Sequence, residues 1–218
     1  VIKLSAFNIK ILAAVFMLMD HVCYVLMPDL LILHYFGRLS FPLFAWLLTE
    51  GEKHTRNAYR YGIRLLITAI ISQPIFSIVF LDLSLNILFT LLIGLVMLRL
   101  AKRCPQLWQQ LIIAGVCAAV AEVLSCDYGA YGIGVIFLMS LTNKLKPKIW
   151  SLYWCIFHLV LLTLSVRSIV QSLAIFAGLI VFQFNGQQGP RARWFYLFYP
   201  VHLLIIGIIR YSLPFNWD

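Results

Sequence analysis

Apolar residues fall along the chain in blocks close to the length a helix needs to cross a bilayer, roughly 20 residues at 1.5 Å each. The blocks lie at 8 to 27, 31 to 50, 61 to 80, 83 to 101, 107 to 125, 129 to 143, 149 to 165, 168 to 185 and 195 to 213. They predict an all-α, polytopic membrane bundle of about nine transmembrane helices joined by short connections. No internal repeat, low-complexity tract or linker interrupts them, so residues 1–218 read as a single domain. The block at 129 to 143 is short and holds Gly129, Gly132 and Gly134, a composition that suits a broken or tilted helix.

The polar positions between the blocks set an orientation. If every block spans, then Lys3, Lys10, the segment Glu52 to Arg64, the stretch Arg99 to Arg103, Lys144, Lys146, Lys148, Arg191 and Arg193 share one side. The positive-inside rule makes that side the cytoplasm. The opposite connections carry Asp29, Asp82, Asp127 and Asp218, with Arg167 almost alone among the bases. The N-terminus is then cytoplasmic and the C-terminus outside. Dropping the block at 129 to 143 would export Arg191 and Arg193, so the charge pattern favours nine spans over eight.

Composition narrows the class further. With 62% hydrophobic and 11% charged residues, the chain is too apolar for an ordinary soluble domain. Its formal charge of +9 sits in short clusters between apolar blocks, which points to topology and not to nucleic acid. The first block has the length of a signal peptide, but no small-residue cleavage site follows and Asp20 and His21 interrupt it, so it reads as a retained helix. The five cysteines form no CxxC pair and read as small apolar residues, not as a disulfide framework.

Asp20 and His21 stand out most. An ionised side chain in hydrocarbon costs roughly 2.5–3.5 kcal/mol or more, so it persists where partners or a cavity compensate. Both lie about seven residues, or ~10 Å, below the outer end of the first span. Arg38 in the second span and Gln73, beside Pro74 in the third, reach a similar depth, and Asn86 and Glu122 sit nearer the outer rim. Asp20 either pairs with Arg38 or meets a cationic substrate; the plainer alternative is an ion pair that only fixes helix register. A register lock needs no titrating group, whereas the imidazole of His21 can take and return a proton near neutral pH. Adjacent helical residues point about 100° apart, so Asp20 is not expected to orient the His21 ring.

At the other edge, Lys53, Arg56, Arg60 and Arg64 are spaced three, four and four, which on a helix makes one basic stripe. Such a stripe supplies donors for a phosphorylated cofactor, or serves topology and anionic lipid. Glu50 and Glu52 stand beside it and are placed to steer these side chains. The last span opens with the aromatic belt Phe195 and Tyr196, followed by Tyr199 and His202. His202 reads either as a polar helix contact or as a lining residue on a route between the two sides. His34, His54 and His158 show no metal-ligand spacing, and no Walker A loop or GxSxG elbow occurs.

Several of these segments also resemble a known family. Met17-Leu-Met-Asp20-His21-Val-Cys-Tyr24, Gly37-Arg38-Leu-Ser-Phe-Pro42-Leu-Phe44, Thr49-Glu50-Gly51 with His54-Thr-Arg56-Asn57, Tyr61-Gly-Ile-Arg64-Leu, Leu85-Asn86-Ile-Leu-Phe-Thr90-Leu and Phe195-Tyr-Leu-Phe-Tyr199-Pro200-Val-His202-Leu are similar to the TraX family of conjugal-transfer membrane proteins. The likeness covers nearly the whole chain and is most specific in the first third; the stretch from about Cys104 to Ser168 is generic membrane sequence. It implies N-acetylation of processed pilin in a bacterial inner membrane, on a plan similar to the wider transmembrane acyltransferases. In that plan acetyl-CoA is met from the cytoplasm and the acceptor, a pilin-like protein or a glycan, from the outer side. It implies a catalytic role for His21, with Asp20 and Arg38 beside it. Lys53, Arg56, Arg60 and Arg64 are assigned to the CoA phosphates by side and spacing. Gln73, Asn86, Glu122, Tyr199 and His202 are assigned to the substrate route. Direct transfer and a covalent acetyl-His21 relay both stay open, as does a homo-oligomer. Competing readings are a proton-coupled transporter relaying through Asp20, His21 and Glu122, and a pilus-assembly scaffold without catalysis.

Overall fold

The computed structural model describes residues 3–164, 169–192 and 194–212; Arg167, Arg193 and Asp218 lie outside these. The described residues are mainly helical, joined by turns and loops that hold two isolated bridges, Leu4 with Phe184 and Leu85 with Cys126. The helices are α1 (Ala6–Leu26), α2 (Leu31–Gly37), α3 (Ser40–His54), α4 (Ala58–Phe80), α5 (Ile87–Ala101), α6 (Leu107–Val123), α7 (Gly129–Ser140), α8 (Pro147–Leu164), α9 (Ile169–Ser172), α10 (Ala177–Val181) and α11 (Phe195–Ser212), with a 3₁₀ turn at Leu173–Phe176.

Local chemistry sets the helix ends. Ser5 caps α1 by accepting from the Asn8 amide, and Asn57 caps α4 by accepting from the Arg60 amide at 2.9 Å. Asn86 caps α5 in the same way, which is why that helix begins at Ile87 and not at the apolar Leu83. The block predicted at 31 to 50 is divided between α2 and α3 at Arg38 and Leu39. Pro42 has no amide for the Arg38 carbonyl, so the break falls where the new helix can place that proline in its first turn. The block predicted at 168 to 185 is likewise divided, into α9, the 3₁₀ turn and α10.

Among the described residues, four segments are long and apolar enough to cross a membrane: Ala6–Leu26, Leu31–His54, Ala58–Phe80 and Phe195–Ser212. Most of the remaining apolar helices are shorter; α7 has 12 residues, or ~18 Å of rise against a hydrocarbon core of ~30 Å. α1, α4 and α11 turn Val15, Leu18, Ile67, Ile70, Ile71, Ile78, Leu204, Ile205 and Ile208 outward, an exposed apolar surface far beyond what a soluble monomer carries. This is a membrane protein, and those residues form its lipid-facing coat.

α3 and α7 supply the centre, where Leu43, Trp46, Ile133, Ile136 and Met139 are buried beside Met97 of α5. Where lipid surrounds the bundle, close packing and polar contacts hold it together. The polar contacts sort into two ends. At one, Glu52 Oε1 meets Arg99 Nε at 3.0 Å and Lys102 Nζ at 3.5 Å, and Glu50 accepts from Asn143 Nδ2 at 3.1 Å. At the other, the Leu85 amide donates to Ser125 O at 3.0 Å and Arg210 donates to Val79 O at 2.6 Å. The carboxylate of Glu52 is buried, whereas Arg99 and Lys102 reach solvent. Glu52→Ala is therefore expected to cost about 1–3 kcal/mol, and Glu52→Gln less, measured as apparent Tm in detergent; equal stability of both variants and the parent would make this contact irrelevant to the fold.

Candidate functional site

A cavity of about 910 Å³ runs through the bundle between those two ends. Its wall takes residues from Ala6 to Tyr24 on α1, a rise of ~27 Å, and from Tyr61 to Phe80 on α4, ~28 Å. Each length is close to the ~30 Å hydrocarbon thickness of a bilayer. The two ends of the cavity differ chemically. Lys10, Glu50, His54, Thr55, Arg64 and Gln188 line one, and Asp20, His21, His34, Arg38, Asp82 and Asp127 line the other.

At the second end, Arg38 pairs with Asp20 Oδ2, and His34 Nδ1 lies 2.9 Å from Asp20 Oδ1. Arg38 also donates from NH1 to Gln171 Oε1 at 3.2 Å, and Gln171 Nε2 donates to the Tyr131 hydroxyl at 2.9 Å. α2 presses directly on this pair at Gly37, where any Cβ would run into the Asp20 carboxylate, so only glycine admits the contact. Arg38 Nε is buried without a protein partner. Desolvation raises the nearby Asp127 carboxyl to about 7, against the opposing pull of Arg38, so this end of the cavity is less acidic than three aspartates suggest.

His21 lines the cavity from the α1 wall. Its Nδ1 lies 2.8 Å from His202 Nε2, and the two rings lie nearly parallel, 12° apart. Phe80 meets the His21 ring edge-on at 5.0 Å and Tyr199 at 6.5 Å. His202 Nδ1 lies 2.7 Å from the Phe198 carbonyl oxygen. Asp20 has its carboxylate on Arg38 and His34 and makes no hydrogen bond to His21, in line with the 100° step between adjacent helical side chains.

At the basic end, Arg64 stands over the Tyr196 ring at 5.7 Å and Lys10 over Phe195 at 5.5 Å. Arg56, Arg60 and Arg64 line a shallow depression with Thr55, Asn57, Tyr59 and Ile63, and Arg64 and Thr55 belong to both the depression and the cavity. The depression is thus a forecourt to the cavity. Lys53 turns away from it to pair with Glu50 at 2.6 Å, and Glu52 is held by Arg99 and Lys102. Of the two carboxylates expected to steer the stripe, Glu50 therefore holds its first cation, whereas Glu52 is committed to Arg99 and Lys102; among the described residues no carboxylate pairs with Arg56, Arg60 or Arg64.

The residues predicted for the route separate. Tyr199 lines the cavity, and His202 stands behind His21 in place of lining the route itself. Gln73, Asn86 and Glu122 lie outside the lining. Gln73 donates to Ser84 O at 2.8 Å and accepts from Asn86 Nδ2 at 2.8 Å, which ties α4 to the start of α5. Glu122 accepts from the Ala130 amide at 2.8 Å and so holds the start of α7. Both satisfy backbone groups that would otherwise be unpaired at helix ends.

His158, Tyr128, Tyr131 and Lys10 also line the cavity, without having been assigned to it from the sequence. His158 is only 3% exposed; its Nδ1 lies 2.9 Å from Trp154 O and its Nε2 has no partner. A lone histidine on an apolar run gives no sign of this, because the tertiary fold alone turns it inward. Lys10 is counted by a topology rule as a flanking charge, and only its place under Phe195 marks it as part of the cavity.

Fold and site together define a helical membrane protein with an end-to-end cavity that carries a histidine pair at one end and unpaired basic residues at the other. The family model described as TraX protein matches residues 5–210, and the chain belongs to that family. It is 33% identical, over 94% of its own length and 95% of the relative's, to a probable fimbrial assembly protein FimC, serogroup H1, of Dichelobacter nodosus. No solved structure matches the chain.

Proposed function

We propose that this protein is a multi-pass acetyltransferase of the bacterial inner membrane, moving an acetyl group from cytoplasmic acetyl-CoA to an acceptor at the outer face. The acceptor is most simply the N-terminal amine of a pilin subunit, in keeping with the TraX family and a relative named for fimbrial assembly. The observation that carries this reading is the single cavity joining Arg64 and Lys10 at one end to His21 at the other. Lys10 and His21 are 11 residues apart on α1, ~16 Å of rise, a span that an extended pantetheine arm covers. The nucleotide phosphates then rest on Arg56, Arg60 and Arg64 in the forecourt, and the thioester reaches His21. A nine-span topology with the N-terminus inside and the C-terminus outside, as the charge pattern predicts, would put these two ends on the sides the reaction needs.

The chemistry needs a base, because an α-amine of pKa near 8 must lose a proton to attack. The ammonium gives its first proton to solvent and attacks as the neutral amine; as its nitrogen bonds to the thioester carbonyl carbon, His21 takes the second N–H proton and returns it to the CoA sulfur as the C–S bond breaks. Arg38, with its buried and unpartnered Nε, stabilises the oxyanion formed between those steps. A cavity continuous to His21 makes direct transfer sufficient, so no covalent acetyl-His21 intermediate is required.

The test is titration of purified protein with acetyl-CoA, with CoA and ATP as controls, followed by transfer to a synthetic peptide carrying a pilin N-terminus. Saturable binding and a mono-acetylated peptide are expected. Acetylation of a glycan in place of the peptide would keep the enzyme class and change the acceptor. Absence of acetyl-CoA binding by folded protein would overturn the proposal in favour of a transporter or an assembly scaffold. Arg60→Ala combined with Arg64→Ala is expected to weaken acetyl-CoA binding about tenfold or more, the loss of charge-assisted contacts; unchanged affinity would leave the stripe to lipid and topology.

A further inference from the structure

We propose that His202 is a positioning residue that holds His21 in one tautomer, with the proton on Nδ1 and the lone pair of Nε2 free to take a proton in the cavity. The inference rests on the reading of His21 as the base, and it follows from which groups along the chain of contacts can donate. The Phe198 carbonyl oxygen only accepts, so at 2.7 Å the facing Nδ1 of His202 must carry its proton. A neutral imidazole has one N–H, so His202 Nε2 is then an acceptor. His21 Nδ1, 2.8 Å from it, must donate and therefore keeps its own proton. That leaves His21 Nε2 as a lone pair.

The surroundings support each step. His202 is buried, with 5% of its surface exposed, and no carboxylate among the described residues contacts it. Phe198 stacks on its ring at 4.8 Å and Tyr199 meets it edge-on at 5.6 Å, contacts that favour the ring orientation facing the carbonyl. Phe198 and His202 are one helical turn apart on α11, and a carbonyl oxygen has two lone pairs, one for the helix bond and one for the ring. The cavity wall includes His21 but not His202, which places the second ring behind the first, on the side away from substrate. When His21 takes a proton on Nε2, its Nδ1–H bond to His202 remains and the lone pair of His202 faces the new positive charge. A neutral imidazole thus does the orienting work that a carboxylate does in many catalytic histidine pairs.

The decisive measurement is heteronuclear NMR of protein with isotopically labelled histidine in nanodiscs at neutral pH, with the His21 signals assigned from a His21→Gln variant. We expect His21 to carry its proton on Nδ1 in the parent protein and to lose that preference in His202→Ala. A His21 protonated on Nε2 in the parent, or a tautomer unchanged in His202→Ala, would overturn the proposal. Because this readout needs no turnover, it stands apart from the acetyltransferase reading, which fails separately if the parent protein transfers no acetyl group. In kinetics, His202→Ala should lower kcat about a hundredfold with KM for acetyl-CoA unchanged, and His202→Gln, whose amide oxygen accepts near the place of Nε2, should stay within about tenfold of the parent. Equal losses in the two variants, or none in His202→Ala, would contradict it.

Discussion

His21→Ala is expected to lower acetyl transfer about a hundredfold to ten-thousandfold, the usual worth of a positioned general base. Acetyl-CoA affinity should change little, because the cation stripe proposed to hold the phosphates lies at the other end of the cavity. The fold should survive, since His21 lines the cavity and its ring contacts are Phe80, Tyr199 and His202 at one wall. The truncation also opens an imidazole-sized space continuous with the cavity. Added imidazole should therefore restore part of the rate, with saturation, which a structural defect would not allow. Transfer by His21→Ala at the parental rate would remove His21 from the reaction, and the base would have to be sought at the remaining cavity histidines, His34, His54 and His158.

The sequence exposes the reactive end of this cavity better than its walls. Asp20, His21 and Arg38 are readable because charge inside an apolar run is costly, and the expected meeting of Asp20 with Arg38 is present. Depth along a span is only partly readable: Gln73, expected level with Asp20, is bonded to Asn86, expected nearer the rim. Depth does not give the direction a side chain faces. Gln73 and Asn86 turn toward each other, and Glu122 turns toward the Ala130 amide. The approach of His202 to His21 joins residues 181 positions apart, a consequence of α1 packing against α11 that no local pattern encodes. The break within the second predicted span had a visible cause in Gly37 and Pro42, but the apolar count across it is uninterrupted. Length and hydropathy therefore support four long spans directly, whereas the short helices α5 to α8 depend on their neighbours for their place.

Asp20→Ala should be the most damaging single change to the fold near the site. The side chains of Asp20 and Arg38 are 13% and 17% exposed, and Asp20 is the group that balances Arg38. Removing one partner of a buried pair costs about 3–5 kcal/mol, because the other charge is left uncompensated. Gln171 remains on Arg38 but carries no charge, and His34 loses its carboxylate as well. Thermal unfolding in detergent should show the loss. A double variant, Asp20→Ala with Arg38→Met, should recover much of it, since apolar groups of similar volume replace buried ion pairs at little cost. Activity then separates two roles for the pair. A register lock would be rebuilt by the double variant, and transfer would return with stability. If Arg38 stabilises the oxyanion, the double variant should be stable and still about a hundredfold to a thousandfold slower than the parent, the usual worth of one such donor. The two outcomes differ in what Arg38 does beyond Asp20, where its guanidinium lines the cavity and its Nε has no hydrogen-bond partner.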